Sequence, residues 1–75
     1  MILIDKKGHM VSTVNFEELH NFAAKIGLCR DWFQDTRIPH YDLTTERMKI
    51  RALKEGARLV DSREIVRRGL EMYES

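Results

Sequence analysis

The sequence predicts an α/β fold, a small mixed αβ domain in which about three helices pack on a short parallel sheet of two to three strands. Its 75 residues allow one domain, spanning 1–75, with a thin core. Hydrophobic residues make up 43% of the chain and charged residues 33%, a balance typical of a folded protein and not of a disordered one. From residue 44 onward, helix, glycine, short strand, helix cap and helix follow one another, which is the order of an αβ unit.

The N-terminal segment predicts a strand, a turn and a second extended piece. Residues 1–5 are an apolar run that stops at Lys6-Lys7-Gly8, as expected of a buried strand followed by a turn. Residues 9–12 are predicted to form the second extended piece.

The first helix has the clearest signal and is predicted at 16–26. Asn15 and Glu18 have the spacing of a helix-capping pair, and Gly27 suits the left-handed residue beyond a helix end. Helical spacing gives the segment one apolar face, made of Phe16, Leu19, Phe22, Ala23 and Ile26.

Residues 29–43 predict irregular structure. One helical turn at residues 30–33 is expected to place Trp32 and Phe33 in the core, since a single tryptophan in so small a domain is usually buried. Cys29 is expected to be a small buried apolar residue at the end of the first helix.

The second half predicts two more helices and a short strand. Thr44 or Thr45 can cap a helix that ends at Gly56, residues 58–61 form a strand, and residues 61–64 repeat the capping pattern. We expect the strand at 58–61 to lie parallel to the N-terminal strand. The residues expected to face the core are Met48, Ile50, Ala52, Leu53 and Ala57 in one helix and Ile65, Val66, Leu70 and Tyr73 in the other.

Cysteine content and charge restrict the compartment and the partners. Cys29 is the one cysteine, so no intrachain disulfide can form, and we expect a cytoplasmic protein with no membrane segment. Residues 44–68 carry eight Lys and Arg against four acids. This excess can attract a nucleotide or nucleic acid, although a solvated helix surface is the commoner explanation.

The run His40-Tyr41-Asp42 is the most informative candidate site. Pro39 ends the preceding loop, and the next residues are predicted to be extended. On a strand, residues i and i+2 face the same way, so the His40 imidazole and the Asp42 carboxylate are aimed together. Such a pair can fix a histidine tautomer, act in acid–base catalysis or bind a metal.

Two further histidines are candidates for the same site. His20 borders the apolar face of the first helix and could point at the same place as His40 and Asp42, and His9 follows the first turn. No standard metal-ligand spacing is present, so a divalent metal is an open possibility that no motif requires. The alternative is that His20 and His40 are partly buried histidines with structural hydrogen bonds.

Four residues are predicted to bind a ligand around these histidines. Tyr41 could stack on a base, as could Trp32 if it were not in the core. Ser62 and the first amides of the third helix could hold an anion, and Arg30 and Arg63 could neutralise a phosphate.

Four segments of the chain together resemble an uncharacterised domain-of-unknown-function family. They are Glu18-Leu19-His20, Trp32-Phe33, His40-Tyr41-Asp42 and Val60-Asp61-Ser62-Arg63-Glu64. The resemblance covers about His9 to Arg68 and implies short proteins of bacteria and their phages. It also implies a polar site that includes His9, His20, Arg30 and the His-Tyr-Asp run.

Two functions therefore stand as expectations. The first is a domain that binds or processes a phosphate-containing ligand, either a nucleotide or a nucleic acid, at a His/Asp site. The second is a non-catalytic interaction or regulatory module, either a homodimer or a phage protein that binds a host protein. Whether the chain is an enzyme is left open by the sequence.

Overall fold

A computed structural model describes residues 1–74 of the chain. It contains three helices and four short strands, and a single 3₁₀ turn at Arg30–Trp32 precedes the third strand. In chain order the elements are β1 (Ile2–Ile4), β2 (His9–Ser12), α1 (Phe16–Lys25), β3 (Tyr41–Asp42), α2 (Glu46–Lys54), β4 (Arg58–Leu59) and α3 (Ser62–Glu74).

The sheet has the strand order β3-β2-β1-β4. β1 and β4 are parallel, which confirms the predicted pairing. Parallel strands need a long crossover connection, and the chain between β1 and β4, which includes α1 and α2, provides it. β2 is antiparallel to both of its neighbours, since a tight turn connects it to β1. The α/β class is thus confirmed, with a mixed sheet of four strands in place of a wholly parallel one of two to three.

α1 and α3 lie on opposite faces of this sheet. Val11 of β2 contacts the position of Gly69 in α3, whereas Tyr41 of β3 contacts His20 in α1. Tyr41 pairs with Met10, the neighbour of Val11, and adjacent strand residues point to opposite faces. The two surfaces of the sheet therefore present different sets of side chains to α3 and to α1.

Gly8 joins the turn after β1 to the end of β3. Its backbone has φ +92°, and its carbonyl accepts a hydrogen bond of 2.7 Å from the Leu43 amide. A Cβ atom at position 8 would overlap the Leu43 carbonyl oxygen. Glycine is required here both for its conformation and for its size.

The helix ends follow the predicted caps. The Asn15 side chain accepts from the Glu18 amide at 2.8 Å, and Thr45 is the residue that caps α2. Gly27 and Gly56 have positive φ beyond the ends of α1 and α2, as expected. Among residues 1–74, none of the helices combines the length and apolarity needed to cross a bilayer.

Several predictions of burial were wrong. Cys29 is exposed, and the Trp32 side chain is exposed by 56%, because the 3₁₀ turn directs Phe33 toward the core and leaves the indole outside. α2 contributes one fully buried side chain, Ala52, so most of the helix surface faces solvent. Four further residues expected to be inward are exposed: Ile50 and Leu53 in α2, and Val66 and Tyr73 in α3, where Ile65, Gly69 and Met72 form the buried face instead.

Candidate functional site

His9, His40 and Asp42 converge at one edge of the sheet. His9 and Asp42 are direct partners in the β2–β3 register, so their side chains leave the same face, and His40 precedes Asp42 by two residues. The His40 Nε2 atom lies 3.3 Å from Asp42 Oδ1, and His9 Nε2 lies 4.0 Å from the same oxygen. One ligand atom from each residue fits within a span of 4.8 Å.

The Nδ1 atom of each of these two imidazoles lies within hydrogen-bond distance of an acceptor oxygen. His40 Nδ1 lies 2.6 Å from the Ile38 carbonyl oxygen, which can only accept, so this nitrogen carries the proton and donates. His9 Nδ1 lies 3.0 Å from Asp5 Oδ2. Both Nε2 atoms are thereby oriented toward Asp42, whose side chain is 46% exposed to solvent.

Asp5 is the residue that sequence reasoning missed. Its side chain is buried, and it also accepts from the His9 amide at 2.9 Å and from the Ser62 hydroxyl at 3.0 Å. Burial raises the pKa of Asp5, but the hydrogen bonds from His9 and Ser62 outweigh it and hold the pKa below its ordinary value. An ionised carboxylate at the end of an apolar strand was the signal available in the sequence.

A small cavity opens beside two of the three convergent residues, His9 and His40. It has a volume of about 240 Å³ and lies between the imidazoles and the start of α3. Its polar lining includes Lys7 and Ser62 as well as Asp5, His9 and His40. Ser62, which was predicted to hold an anion, lines this cavity and donates a hydrogen bond to Asp5.

His20 lies on the other side of the sheet. Its Nδ1 atom is 2.7 Å from the Tyr41 hydroxyl, and its ring packs edge-on against Phe33 and Tyr41. Because Tyr41 alternates with His40 and Asp42, His20 does not join them, and His9 is the histidine that lies beside them. Tyr41 is 1% exposed, so its ring is covered by protein and is not presented to a ligand.

The two predicted arginines are placed differently from each other. Arg30 begins the 3₁₀ turn, and its charge acts on His20 and Tyr41, on the α1 face of the sheet. Arg63 borders a shallow depression on α3 together with Val66 and Arg67 and does not line the 240 Å³ cavity. Neither arginine is part of the His9–His40–Asp42 cluster.

The titration of His20 gives a testable consequence of its placement. Burial, and secondarily the positive charge of Arg30, lower the pKa of His20. An unfolded histidine has a pKa of about 6.5, so below that pH the unfolded chain binds more protons than the folded chain does. The free energy of unfolding therefore decreases as the pH falls from about 6.5 toward the pKa of folded His20.

We expect proton NMR to assign the depressed pKa to His20, with Arg30→Gln raising it partway toward the ordinary value. A His20 resonance that titrates normally in the wild-type protein would contradict this placement.

Comparison with known proteins identifies a family and no characterised relative. A family model described as protein of unknown function, DUF4031, matches residues 5–72. No curated protein and no solved structure matches the chain. The matched region includes Asp5, His9, His40 and Asp42. Because it spans nearly the whole sequence, the chain belongs to the DUF4031 family of proteins of unknown function.

Proposed function

We propose that the domain binds a divalent transition-metal ion through His9, His40 and Asp42, and that the bound ion holds a phosphate-containing ligand. The observation that carries the proposal is the convergence of two imidazole Nε2 atoms on one carboxylate. Two histidines and a carboxylate are ligands of zinc and of iron, and three protein ligands leave a coordination position for a further group.

The hydrogen bonds behind the histidines support a metal site. Histidines that bind metals usually donate their other ring N–H to a carboxylate or a backbone carbonyl, which fixes the tautomer and the ring orientation. Asp5 and the Ile38 carbonyl supply these two kinds of acceptor. The same pattern leaves the Nε2 lone pairs available for a cation.

The distances require a modest closure. Two ligand atoms on a tetrahedral ion lie about 3.4 Å apart, given metal–ligand bonds of about 2.0–2.1 Å. The His40–Asp42 separation of 3.3 Å meets this value, the His9–Asp42 separation of 4.0 Å exceeds it, and the three ligand atoms together span up to 4.8 Å, so His9 has to move toward the other two. Asp42 and His9 are partly exposed, so their side chains have room to adjust.

The adjacent cavity supports a phosphate as the ligand. Its volume of about 240 Å³ is smaller than that of most small-molecule pockets, and Lys7 and Ser62 offer it a positive charge and a hydroxyl. Asp5 and Asp42 would repel an anion on their own. A cation between His9, His40 and Asp42 reverses that repulsion, so we expect phosphate binding to depend on the metal.

Titration calorimetry with Zn²⁺ and Mn²⁺ tests the first step. We expect wild-type protein to bind one ion, His9→Ala, His40→Ala and Asp42→Asn to lose at least about 100-fold in affinity, and His20→Gln to keep it. Circular dichroism verifies that each variant is folded. Equal affinity in the His40 and His20 variants would show that the ion binds elsewhere.

Inorganic phosphate tests the second step. It is expected to bind metal-loaded protein and not the metal-free form, and Lys7→Ala should weaken it. The interaction-module alternative, including a homodimer or a host-protein partner, stays a prediction.

A further inference from the structure

A second depression is lined in part by Asp42, which does not line the 240 Å³ cavity. It has a volume of about 500 Å³, within the range of pockets that hold small organic ligands. We call it the Trp32 groove. The residues that matter for its chemistry are Leu28, Asp31, Trp32, Gln34, Asp42 and Met48.

The Trp32 groove combines an aromatic surface with hydrogen-bond acceptors. Leu28 and Met48 supply apolar contacts, and the indole of Trp32, exposed by 56%, supplies a flat ring. In ligand sites, exposed aromatic side chains stack on planar rings. Asp31 and Gln34 add oxygens that accept from ring or exocyclic N–H groups.

The two depressions differ in the charged residues that line them. Asp31 and Asp42 line the Trp32 groove, and no lysine or arginine of the described chain does, so a phosphate is disfavoured there. Lys7 lines the other cavity, beside the imidazoles. Asp42 also lines the groove, and its carboxylate lies 3.3 Å from His40, so one residue borders both the groove and the proposed ion site.

We infer that the phosphate-containing ligand is a nucleotide whose phosphate binds at the His9–His40–Asp42 ion and whose base stacks on Trp32 in the groove. This inference rests on the proposed function. A nucleobase is the common biological group that is flat, uncharged and rich in N–H donors, and it is joined to a phosphate through a short sugar. The charged lining residues favour the phosphate in the cavity beside Lys7 and the uncharged base in the Trp32 groove.

Trp32 is the only tryptophan, so fluorescence excited at a wavelength that tyrosine does not absorb reports on this groove. Zinc-loaded protein would be titrated with adenosine and guanosine monophosphates, with ribose 5-phosphate and with inorganic phosphate. We expect the nucleotides to quench the fluorescence and to bind roughly 10-fold or more tightly than ribose 5-phosphate, as stacking of one base predicts. Ribose 5-phosphate and phosphate should leave the emission nearly unchanged.

The variants Trp32→Ala and Trp32→Phe, measured by calorimetry, complete the test. Trp32→Ala should reduce nucleotide affinity to that of ribose 5-phosphate and leave phosphate affinity unchanged, and Trp32→Phe should retain most of the difference. Equal binding of nucleotides and ribose 5-phosphate to the wild-type protein would overturn the inference and leave the proposed function standing. Failure of zinc-loaded protein to bind inorganic phosphate would overturn both.

Discussion

Gly8→Ala is expected to destabilise the domain by roughly 3–5 kcal/mol. A left-handed backbone costs a non-glycine residue about 1–2 kcal/mol, and the added Cβ meets the Leu43 carbonyl oxygen, so the backbone has to move. That movement would also lengthen the hydrogen bond from the Leu43 amide to the Gly8 carbonyl, at the end of β3. Urea denaturation measures the free energy of unfolding directly.

Gly56→Ala is the matched control for this prediction. Gly56 has φ +112°, but no atom lies within 4 Å of the Cβ that it would gain. Its substitution should therefore cost the conformational part alone, about 1–2 kcal/mol. If the two variants lost the same stability, the close approach of Gly8 to Leu43 would not be a constraint on the fold.

Asp5→Asn is expected to lower metal affinity by about 10- to 100-fold while the domain stays folded. The asparagine oxygen can still accept from the His9 amide, but its NH₂ group then faces His9 Nδ1. That nitrogen has to accept, so the proton moves to Nε2, the nitrogen that faces Asp42. The substitution blocks the proposed ligand atom by reversing the tautomer, with little change in shape.

Ser62→Ala separates this effect from simple loss of a hydrogen bond. It removes a bond to the same Asp5 oxygen without changing the His9 tautomer, so metal affinity should change little. Nitrogen-15 NMR of His9 reads the tautomer, and calorimetry reads the affinity. An Asp5→Asn variant with the reversed tautomer and wild-type zinc affinity would show that His9 is not a ligand.

Local signals in the sequence predicted most of the fold. Caps at Asn15 and Thr45 and the glycines 27 and 56 determine where helices begin and end, because each satisfies backbone groups or supplies a conformation on its own. The position of Trp32 could not be predicted this way. Whether Trp32 or Phe33 enters the core depends on how the 3₁₀ turn docks, which is a tertiary property.

Part of the candidate site, the His40–Asp42 pair, also follows from a local signal. His40 and Asp42 are two residues apart on one strand, so their common face follows from strand periodicity. The third member depends on the register of β2 against β3, which pairs His9 with Asp42 and leaves His20 on the opposite face. Sequence alone does not specify that register, so it could not show that His9, and not His20, lies beside His40 and Asp42.

The most direct test of the metal site is anomalous X-ray diffraction from crystals grown with Zn²⁺ and recorded at the zinc absorption edge. The proposal predicts one strong peak at about 2.0–2.2 Å from His9 Nε2, His40 Nε2 and an Asp42 oxygen, with His20 still bonded to Tyr41. Crystals in which zinc binds other groups, or in which no peak lies among these three residues, would contradict it.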